Sequence, residues 1–334
     1  MFLEALGGGR IHSDLFYHII STSNLLSAWR EFRRGKNKKA DIQKFDFNLE
    51  KNILELHFSL RKKTYTNEPY APFYVYDPKR RHIHKAQVRD RVVHQAVYRK
   101  LYPIFDPAFI YDSYVCRLRK GIHKGVKKLE EFIRKESRNY TRNVWVLKCD
   151  ISKFFDSIDH EILSELLFEK IKDIDTRWLL ENIIQSFEKE KGKGLPLGNS
   201  TSQLFANVYM NVFDQYAKHK LKAKYYIRYC DDFVVVSKDR EFLESLISKM
   251  SSFFEERLKL KLHSRKVEIR KISQGIDFLG YVALPHYRVL RTSTKKRIIR
   301  QSKKNSSESS KQSYLGVLSH CKGYKISKVI KPSI

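Results

Sequence analysis

Two acidic stretches embedded in apolar sequence decide the fold of this chain. The first is Val144-Trp145-Val146-Leu147-Lys148-Cys149-Asp150, which continues into Ile151-Ser152-Lys153-Phe154-Phe155. The second is Tyr229-Cys230-Asp231-Asp232-Phe233-Val234-Val235-Val236. A carboxylate is costly to remove from water unless a cation or a hydrogen-bond donor pairs it. An apolar strand that ends in Asp, and a hairpin with two Asp at its tip, therefore predict a bound cation.

The expected cation is Mg²⁺, because carboxylates are hard oxygen ligands that Mg²⁺ binds together with substrate phosphates. Asp150 and Asp231 are far apart in the chain, so the fold must bring them together. The alternating strand and helix patterns after residue 144 predict a sheet that does so. Two such ions about 3.5–4 Å apart are the usual means of nucleotidyl transfer. An Asp pair on a hairpin is weak evidence by itself, because exposed turns also favour Asp.

The composition points to a polyanionic partner. The 334 residues include 66 Lys and Arg against 37 Asp and Glu, a formal net charge of +29. The basic residues are spread from Arg10 to Lys331, which favours a long nucleic-acid-binding surface or channel over a basic tail. No run of about 18 apolar residues is present, and Met1-Phe2-Leu3 does not begin a signal peptide, so no membrane partner is expected.

The cysteines and histidines give little sign of a metal site. The four cysteines are scattered and never form a C-x-x-C pair: Cys116, Cys149, Cys230 and Cys321. This argues against zinc and against a disulfide framework, and it favours a reducing, cytoplasmic location. His82 and His84 alternate in a very basic stretch, where an exposed hairpin is a better interpretation than a metal site.

The sequence predicts helices near residues 14–34, 48–63, 90–102, 121–138, 159–170 and 240–258, and a further helix that begins after Ser200. A strand at 73–76 leads through a basic turn at 77–81 to a return strand, and further strands are predicted at 144–150 and within 225–237. Residues 192–198 must form a loop. The Lys-, Ser- and Asn-rich stretch 295–312 predicts a mobile linker or exposed loop.

Local signals also predict how two helices begin. Asp159 is the expected N-cap of helix 159–170. Ser200-Thr201-Ser202-Gln203 fits a capping box, with Ser200 at the N-cap and Gln203 three residues later. Leu204, Val208 and Val212 are expected to form the buried stripe of the helix that follows.

The order of these blocks resembles that of the reverse transcriptases, and the resemblance covers most of the chain. The block from Asp150 to Phe155 is similar to the family's first catalytic block, and Tyr229-Cys230-Asp231-Asp232 is similar to its Tyr-x-Asp-Asp block. The resemblance implies that Asp150, Asp231 and Asp232 are catalytic. It further implies a site for two Mg²⁺ ions, for which Mn²⁺ can substitute, formed by Asp150, Ile151, Asp231 and Asp232.

The resemblance extends to residues around the primer and the sugar. Phe155 resembles the steric gate that collides with a ribose 2′-hydroxyl and so selects deoxynucleotides. The alternative for Phe155 is a core aromatic on a buried strand. Phe278-Leu279-Gly280-Tyr281 resembles the primer grip, a hairpin that holds the primer 3′ end. Lys266 stands where the family often has a lysine that protonates the leaving pyrophosphate.

Basic and loop residues complete the nucleotide site that the resemblance implies. Lys79 and Arg81 look like the residues that clamp the incoming triphosphate, as a point charge and as a planar fork. Arg80 and Lys85 are equally basic neighbours, so the assignment within this set stays open. Leu197, Gly198 and Gln203 are expected to contact the incoming nucleotide.

One departure from the common family pattern indicates which type of reverse transcriptase the chain resembles. Most reverse transcriptases carry Gln-Gly-x-x-x-Ser-Pro in this loop, whereas this chain has Leu197-Gly198-Asn199-Ser200-Thr201-Ser202-Gln203. That sequence, together with stretches 88–96 and 204–209, resembles the diversity-generating retroelement reverse transcriptases of bacteria and phages. The resemblance implies copying of a template-repeat RNA with structured flanks, from a DNA or RNA primer and dNTPs, into a cDNA mutated at adenines. It also implies a small basic accessory protein oligomer as partner.

Leucine at position 197 has a physical consequence under this interpretation. A Gln there could hydrogen-bond the nascent pair, whereas Leu can only pack against it. Losing a directed polar contact weakens rejection of wrong pairs, because a mismatch no longer leaves a buried partner unsatisfied. The alternative is that Leu197 packs in the core and that Gln203 only caps a helix.

The implied fold is α+β, a right-hand polymerase with a mainly antiparallel palm sheet. We expect an N-terminal extension at 1–45, fingers at 46–143 with further finger elements within 157–195, a palm at 144–281 and a short helical thumb at 282–334. The thumb helix is expected at 312–327. The chain length predicts no endonuclease, RNase H or large maturase domain.

Two other functions remain open from the sequence. The first is a group II intron-like, retron or phage-defence reverse transcriptase, against which the Ser-Gln ending of the loop argues. The second is a non-catalytic RNA-binding scaffold. A scaffold would account for the charge of +29, but it would have no use for an intact set of Asp150, Asp231 and Asp232.

Overall fold

The computed structural model describes residues 14–76, 80–303 and 307–330. The helices are α1 (Leu15–Ile20), α2 (Thr22–Phe32), α3 (Ala40–Phe47), α4 (Leu49–Arg61), α5 (Val88–Phe105), α6 (Ile122–Glu136), α7 (Phe154–Ser157), α8 (His160–Phe168), α9 (Ile174–Gln185), α10 (Ser200–Gln215), α11 (Arg240–Leu258), α12 (Thr292–Ser302), α13 (Glu308–Leu318) and α14 (Tyr324–Ile330). The strands are β1 (Ala71–Val75), β2 (Arg81–Lys85), β3 (Trp145–Asp150), β4 (Tyr225–Tyr229), β5 (Asp232–Ser237), β6 (Glu268–Lys271), β7 (Ile276–Phe278), β8 (Tyr281–Leu284) and β9 (Tyr287–Leu290).

These strands form antiparallel sheets, so the predicted α+β class is confirmed. They pair as β1-β2, as β4-β5-β3-β6 and as β7-β8-β9. None of the helices in the described parts of the chain has the combination of length and apolar sequence that crossing a membrane requires. The chain divides into two compact units. The first unit takes its described residues from 1–110, 152–216 and 253–261, and the second from 111–151, 217–252 and 262–334.

Helix α10 forms the centre of the first unit. Phe205, Tyr209, Met210 and Phe213 are fully buried, and the helix packs against α5 and α8. Its buried surface therefore extends well beyond the predicted stripe, in which Leu204 and Val208 are buried while Val212 is only half-buried.

Three predicted helix starts can be compared with the structure. The Asp159 carboxylate accepts the backbone N–H groups of Glu161 and Ile162 at 3.1 and 3.2 Å, so the predicted N-cap is confirmed. The predicted capping box at Ser200 is wrong, because α10 begins one residue earlier than it requires and Asn199 is the N-cap. The predicted helix 14–34 is two helices, because Ser21 leaves the helical conformation (ψ 139°) and its hydroxyl accepts the Asn24 N–H, starting α2.

The second unit is built on the four-stranded sheet. Strand β5 lies between β4 and β3, and helix α6 covers one face of the sheet. Val126 and Leu129 of α6 belong to one core cluster with Val146, Val234 and Val236 of the strands. This packing explains why β3 and β5 are apolar almost to their acidic ends.

The C-terminal region is helical where the sequence predicted a linker. Residues 295–302 and 308–312 lie in α12 and α13, so the prediction of a linker or loop at 295–312 is wrong for them. Both helices pack on the core: Ile298 of α12 is only 1 % exposed, and Leu318 of α13 is 4 % exposed. The single helix expected at 312–327 is two helices, α13 and α14, with Gly323 between them.

Helix α4 allows a direct test of the core assignment, because two of its leucines differ sharply in burial. Leu60 is 0 % exposed and Leu54 is 46 % exposed. We expect Leu60→Ala to lower the free energy of unfolding by about 2–5 kcal/mol, since it leaves a cavity. Leu54→Ala on the same helix should change it by about 0.5 kcal/mol or less. Urea unfolding followed by circular dichroism measures both, and equal effects would contradict the packing.

Candidate active site

The sheet brings two of the predicted acids side by side. Asp150 is the last residue of β3 and Asp232 is the first of β5, and the two are paired in register. Directly opposed residues in an antiparallel pair have Cα atoms about 4.5–5.5 Å apart. Asp231 lies in the turn between β4 and β5, and its carbonyl oxygen accepts the Ile151 N–H at 3.3 Å. The three acids and Ile151 therefore lie at one end of the sheet.

A buried arginine, not predicted from the sequence, supports this turn. Arg228 is 0 % exposed, and its guanidinium donates to the Cys230 carbonyl and to the Ser113 hydroxyl, each at 3.1 Å. Cys230 has a positive φ of 60°, so the turn needs such support. The signal was present in the sequence as a charged residue in the middle of the apolar strand Tyr225–Tyr229.

Burial away from water raises the pKa of two of the three acids, Asp231 and Asp232. Asp232 Oδ1 is enclosed and has no hydrogen-bond partner, and burial raises the pKa of Asp232 to about 6 against the opposing effect of nearby Lys148. Burial also raises the pKa of Asp231. Asp150 instead pairs with Lys266, whose ammonium nitrogen lies 2.7 Å from Asp150 Oδ1. The predicted general acid is thus in direct contact with one predicted catalytic carboxylate.

These residues fit a divalent cation in their chemistry. The orphaned oxygen of Asp232 and the raised pKa values of Asp231 and Asp232 mark carboxylates that a cation would stabilise in their charged form. Oxygen donors of this kind suit Mg²⁺. Across residues 14–76, 80–303 and 307–330, however, no three His, Cys, Asp or Glu side chains are already gathered to hold a metal ion.

The segment predicted as a primer grip is a hairpin. Phe278 ends β7, Tyr281 begins β8, and the two residues pair across a turn formed by Leu279 and Gly280 with φ values of 51° and 87°. Phe278 and Tyr281 are buried in the core cluster. Any contact to a primer would therefore come from the turn rather than from these rings.

In the first unit, Phe155 is tied to the loop that carries Leu197. Its carbonyl oxygen accepts the Leu195 N–H at 2.8 Å, and the Ile158 carbonyl accepts the Gly194 N–H at the same distance. Phe155 lies on the one-turn helix α7 and is half-buried. The alternative of a core aromatic on a buried strand is therefore wrong.

The loop ends at Gly198, whose backbone conformation strongly favours glycine. Gly198 has a φ of +114°, a conformation that side chains with a Cβ rarely adopt. A Cβ added there would lie 3.9 Å from Ile83 Cγ2 of β2. Leu197 and Gln203 are half-buried on either side, with Gln203 in the first turn of α10. The structure thus brings the Leu197 loop against the β1–β2 hairpin.

The basic residues proposed to bind the triphosphate differ in their surroundings on the β1–β2 hairpin. Arg81 pairs with Val75 and shares a face with Ile83, the side chain that approaches Gly198. The ammonium group of Lys85 lies 2.7 Å from Asp41, and the Arg80 guanidinium lies over the Tyr74 ring. Lys79 lies outside the described residues. Arg81 therefore lies on the hairpin face that approaches Gly198, and its side chain is exposed.

Comparison with known proteins identifies the family. The reverse transcriptase family (RNA-dependent DNA polymerase) matches residues 62–283. The chain belongs to this family. The matched segment includes Asp150, Phe155, Asp231, Asp232 and Lys266.

Individual relatives are more distant. Protein YkfC of Escherichia coli is 26 % identical over 232 residues, which is 58 % of this chain and 60 % of YkfC. The group II intron-encoded protein LtrA of Lactococcus lactis is 24 % identical over an alignment of 359 residues, which covers 86 % of this chain and 57 % of LtrA. The chain therefore spans about 60 % of the length of these relatives.

Among solved structures, telomerase from Candida albicans in complex with a telomeric RNA fragment is similar. The match covers 73 % of this chain and 51 % of the telomerase, with 11 % identity and a TM-score of 0.48. This distance is too great to support a conclusion about function. Family membership rests on the sequence match, and it agrees with the antiparallel sheet that holds the acidic residues.

Proposed function

We propose that this reverse transcriptase is an RNA-directed DNA polymerase whose catalytic residues are Asp150, Asp231 and Asp232. The observation that carries the proposal is the in-register meeting of Asp150 and Asp232 at the end of the sheet, with Asp231 in the adjoining turn. A non-catalytic scaffold would gain nothing from enclosed carboxylates, which destabilise a fold unless a cation pairs them. We assign the palm to residues 144–281, the fingers to 46–143 with parts of 157–195, and the thumb to 282–334.

The protein's own residues would bind and orient the reacting groups. Asp150, Asp231, Asp232 and Ile151 would hold two Mg²⁺ ions, which would activate the primer 3′-hydroxyl and neutralise charge on the triphosphate. Lys266, held by Asp150 at 2.7 Å, would donate its ammonium proton to the leaving pyrophosphate. The Leu279-Gly280 turn would hold the primer end through its backbone.

The first unit would select the nucleotide. Arg81 would bind the triphosphate through its planar guanidinium, together with Lys79. Phe155 would close the space that a ribose 2′-hydroxyl needs. This role is supported by the backbone hydrogen bond that the Phe155 carbonyl accepts from Leu195, which lies in the loop that carries Leu197. Leu197, Gly198 and Gln203 would complete the surface against the nascent pair.

Within the family, we propose the diversity-generating type. The support is the apolar Leu197 and the Ser202-Gln203 ending of its loop, which resemble that type. The enzyme would copy a template-repeat RNA with structured flanks, misincorporate opposite adenine, and work with a small basic accessory protein. The charge of +29 suits a long RNA contact.

A second candidate is a group II intron-like reverse transcriptase. The observation that favours it is the likeness to LtrA, a group II intron-encoded protein, over 86 % of this chain. The two candidates share the same catalytic residues and differ in template and in accuracy. Copying accuracy at adenine is therefore the measurement that separates them.

The catalytic assignment is tested by Asp231→Asn. The substitution keeps the shape of the side chain but removes the charge of a metal ligand, so Mg²⁺-dependent DNA synthesis should fall by about 10³-fold or more. The measurement is primer extension on an RNA template at saturating dNTP. Asp239→Asn is the matched control, because Asp239 accepts the Phe242 N–H at 3.0 Å and Asn keeps that bond. Parental synthesis by Asp231→Asn would reject the assignment.

Phe155 provides a separate test of sugar selection. Phe155→Ala should open space at the 2′ position and admit ribonucleotides, with little loss of deoxynucleotide incorporation. The measurement is the ratio of kcat/KM for a dNTP to that for the matching rNTP. Phe168→Ala, at another half-buried Phe of the same unit, should leave the ratio unchanged. If Phe155→Ala also leaves it unchanged, the steric gate is another residue.

Leu197→Gln tests the diversity-generating assignment. A regained polar contact of about 1–3 kcal/mol would reduce misincorporation opposite template adenine by about 5- to 150-fold at most. Sequencing cDNA copied from one template gives error rates at A, C, G and U for the parent and the variant. Leu197→Met, which keeps an apolar side chain, should retain the parental spectrum. A parent that is accurate at adenine would favour the intron-like candidate instead.

A further inference from the structure

The β1–β2 hairpin carries a row of rings on one face, which we call the Tyr74 face. Tyr74 pairs with His82, and Pro72 pairs with His84, so their side chains share this face. The Tyr74 and His82 rings stack with centroids 4.5 Å apart and an interplanar angle of 16°. The row continues from His82 to His84 at 4.3 Å and from His84 to Phe187 at 4.6 Å.

The outer end of this row is open to solvent. Tyr74 is 45 % exposed and Tyr76, which lies beside it at 6.3 Å, is 71 % exposed. A lone exposed aromatic needs no explanation, but a row of contacting rings whose two outer members are exposed does. Burying these rings would stabilise the protein, and its own described residues leave the outer two partly uncovered.

The Tyr74 face is positively charged. The Arg80 guanidinium carbon lies 4.3 Å from the centre of the Tyr74 ring. Burial and the nearby Lys189 lower the pKa of His84, while Asp156 opposes the shift. Rings combined with a planar cation match the chemistry of an unpaired nucleotide, which offers a base to stack on and a phosphate to neutralise.

This face is distinct from the proposed nucleotide site. Phe73, Ile83 and Arg81 lie on the other face of the hairpin, because side chains alternate along each strand. It is Ile83 on that other face which approaches the Gly198 loop. A molecule on the Tyr74 face would therefore not compete with a nucleotide at the loop.

We propose that the Tyr74 face binds unpaired nucleotides of the RNA template, with bases stacking on Tyr74 and Tyr76 and Arg80 neutralising a phosphate. Bases inside a duplex are already stacked on each other, so the face selects single strands. The inference deepens the proposed polymerase function and rests on it for the identity of the strand. The Tyr74 face would thus hold the part of the RNA template that has not yet been copied into DNA.

The test compares two RNA–DNA duplexes with the full-length protein in the absence of divalent cations. One duplex has a single-stranded RNA overhang at the template 5′ end and the other is blunt. Fluorescence anisotropy gives the affinity for each, and their ratio measures the overhang contribution. Tyr74→Ala should reduce that ratio by about 5- to 150-fold, the range for loss of one base–aromatic stack. Tyr74→Trp, which keeps a ring, should retain the parental ratio.

Two control variants locate the effect. Phe73→Ala removes an equally exposed ring (45 %) from the other face of the same strand, and it should not change the ratio. Tyr287→Ala removes a 46 % exposed ring that also has a lysine ammonium nearby, that of Lys322 at 5.0 Å, and it should not change the ratio either. An effect shared by all three Ala variants would overturn the assignment to the Tyr74 face.

The outcomes for the two proposals are separable. A parent that binds both duplexes equally, or a Tyr74→Ala variant with an unchanged ratio, overturns the stacking inference. A parent that binds the overhang but makes no cDNA when Mg²⁺ and dNTPs are added overturns the proposed function instead. A parent that extends primers while Tyr74→Ala loses only the overhang contribution supports both.

Discussion

The arrangement at the end of the four-stranded sheet depends on enclosing carboxylates that have few partners. Withdrawing an unpaired carboxylate from water costs several kcal/mol. The second unit offsets part of that cost with Lys266 on Asp150 and with Lys148 near Asp232. The part of the burial cost that is not offset raises the pKa values of Asp231 and Asp232. Under the proposed function, a bound cation would pair these carboxylates and offset the cost of their burial.

Strands β3, β4 and β5 and most helices could be predicted because their signals are local, whereas β6 was not predicted. The apolar runs of β3 and β5 each adjoin an Asp, and apolar residues recur every three to four positions in α4 and α11. Each of these patterns is visible within a few neighbouring residues. The failures were long-range. Ile298 and Ile299 stand among lysines, serines and arginines, and they pack on a core supplied largely by distant residues, which the local sequence does not show. The N-cap of α10 is Asn199 rather than the predicted Ser200, and the Asn199 side chain makes no capping hydrogen bond, so the capping sequence does not mark where this helix starts.

The contacts within the candidate site were also hard to predict, because they join residues far apart in the chain. The sequence identified Asp150, Asp231, Asp232 and Lys266 as site residues and predicted that the acids meet, but no spacing predicts that Lys266 contacts Asp150. The link between Phe155 and Leu195, and the approach of Ile83 to Gly198, also join segments far apart in the chain. Such contacts depend on the packing of whole elements. The role of Arg228 was open to inference, because a charge inside an apolar strand needs a buried partner.

Two turns of the second unit are held in conformations that their residues do not favour. Cys230 has a φ of 60° and Leu279 a φ of 51°, and a non-glycine residue in this region costs on the order of 1–3 kcal/mol. Each is held from outside the turn, Cys230 by the guanidinium of Arg228 and Leu279 by packing on α6. The packing of Leu279 is so close that a Cβ on Gly125 would lie 3.1 Å from Leu279 Cδ1. The surrounding residues therefore hold the turn beside Asp231 and the turn of the proposed primer contact in these conformations. Under the proposed function such positioning matters, since nucleotide transfer depends on placing the reacting atoms to within a fraction of an ångström.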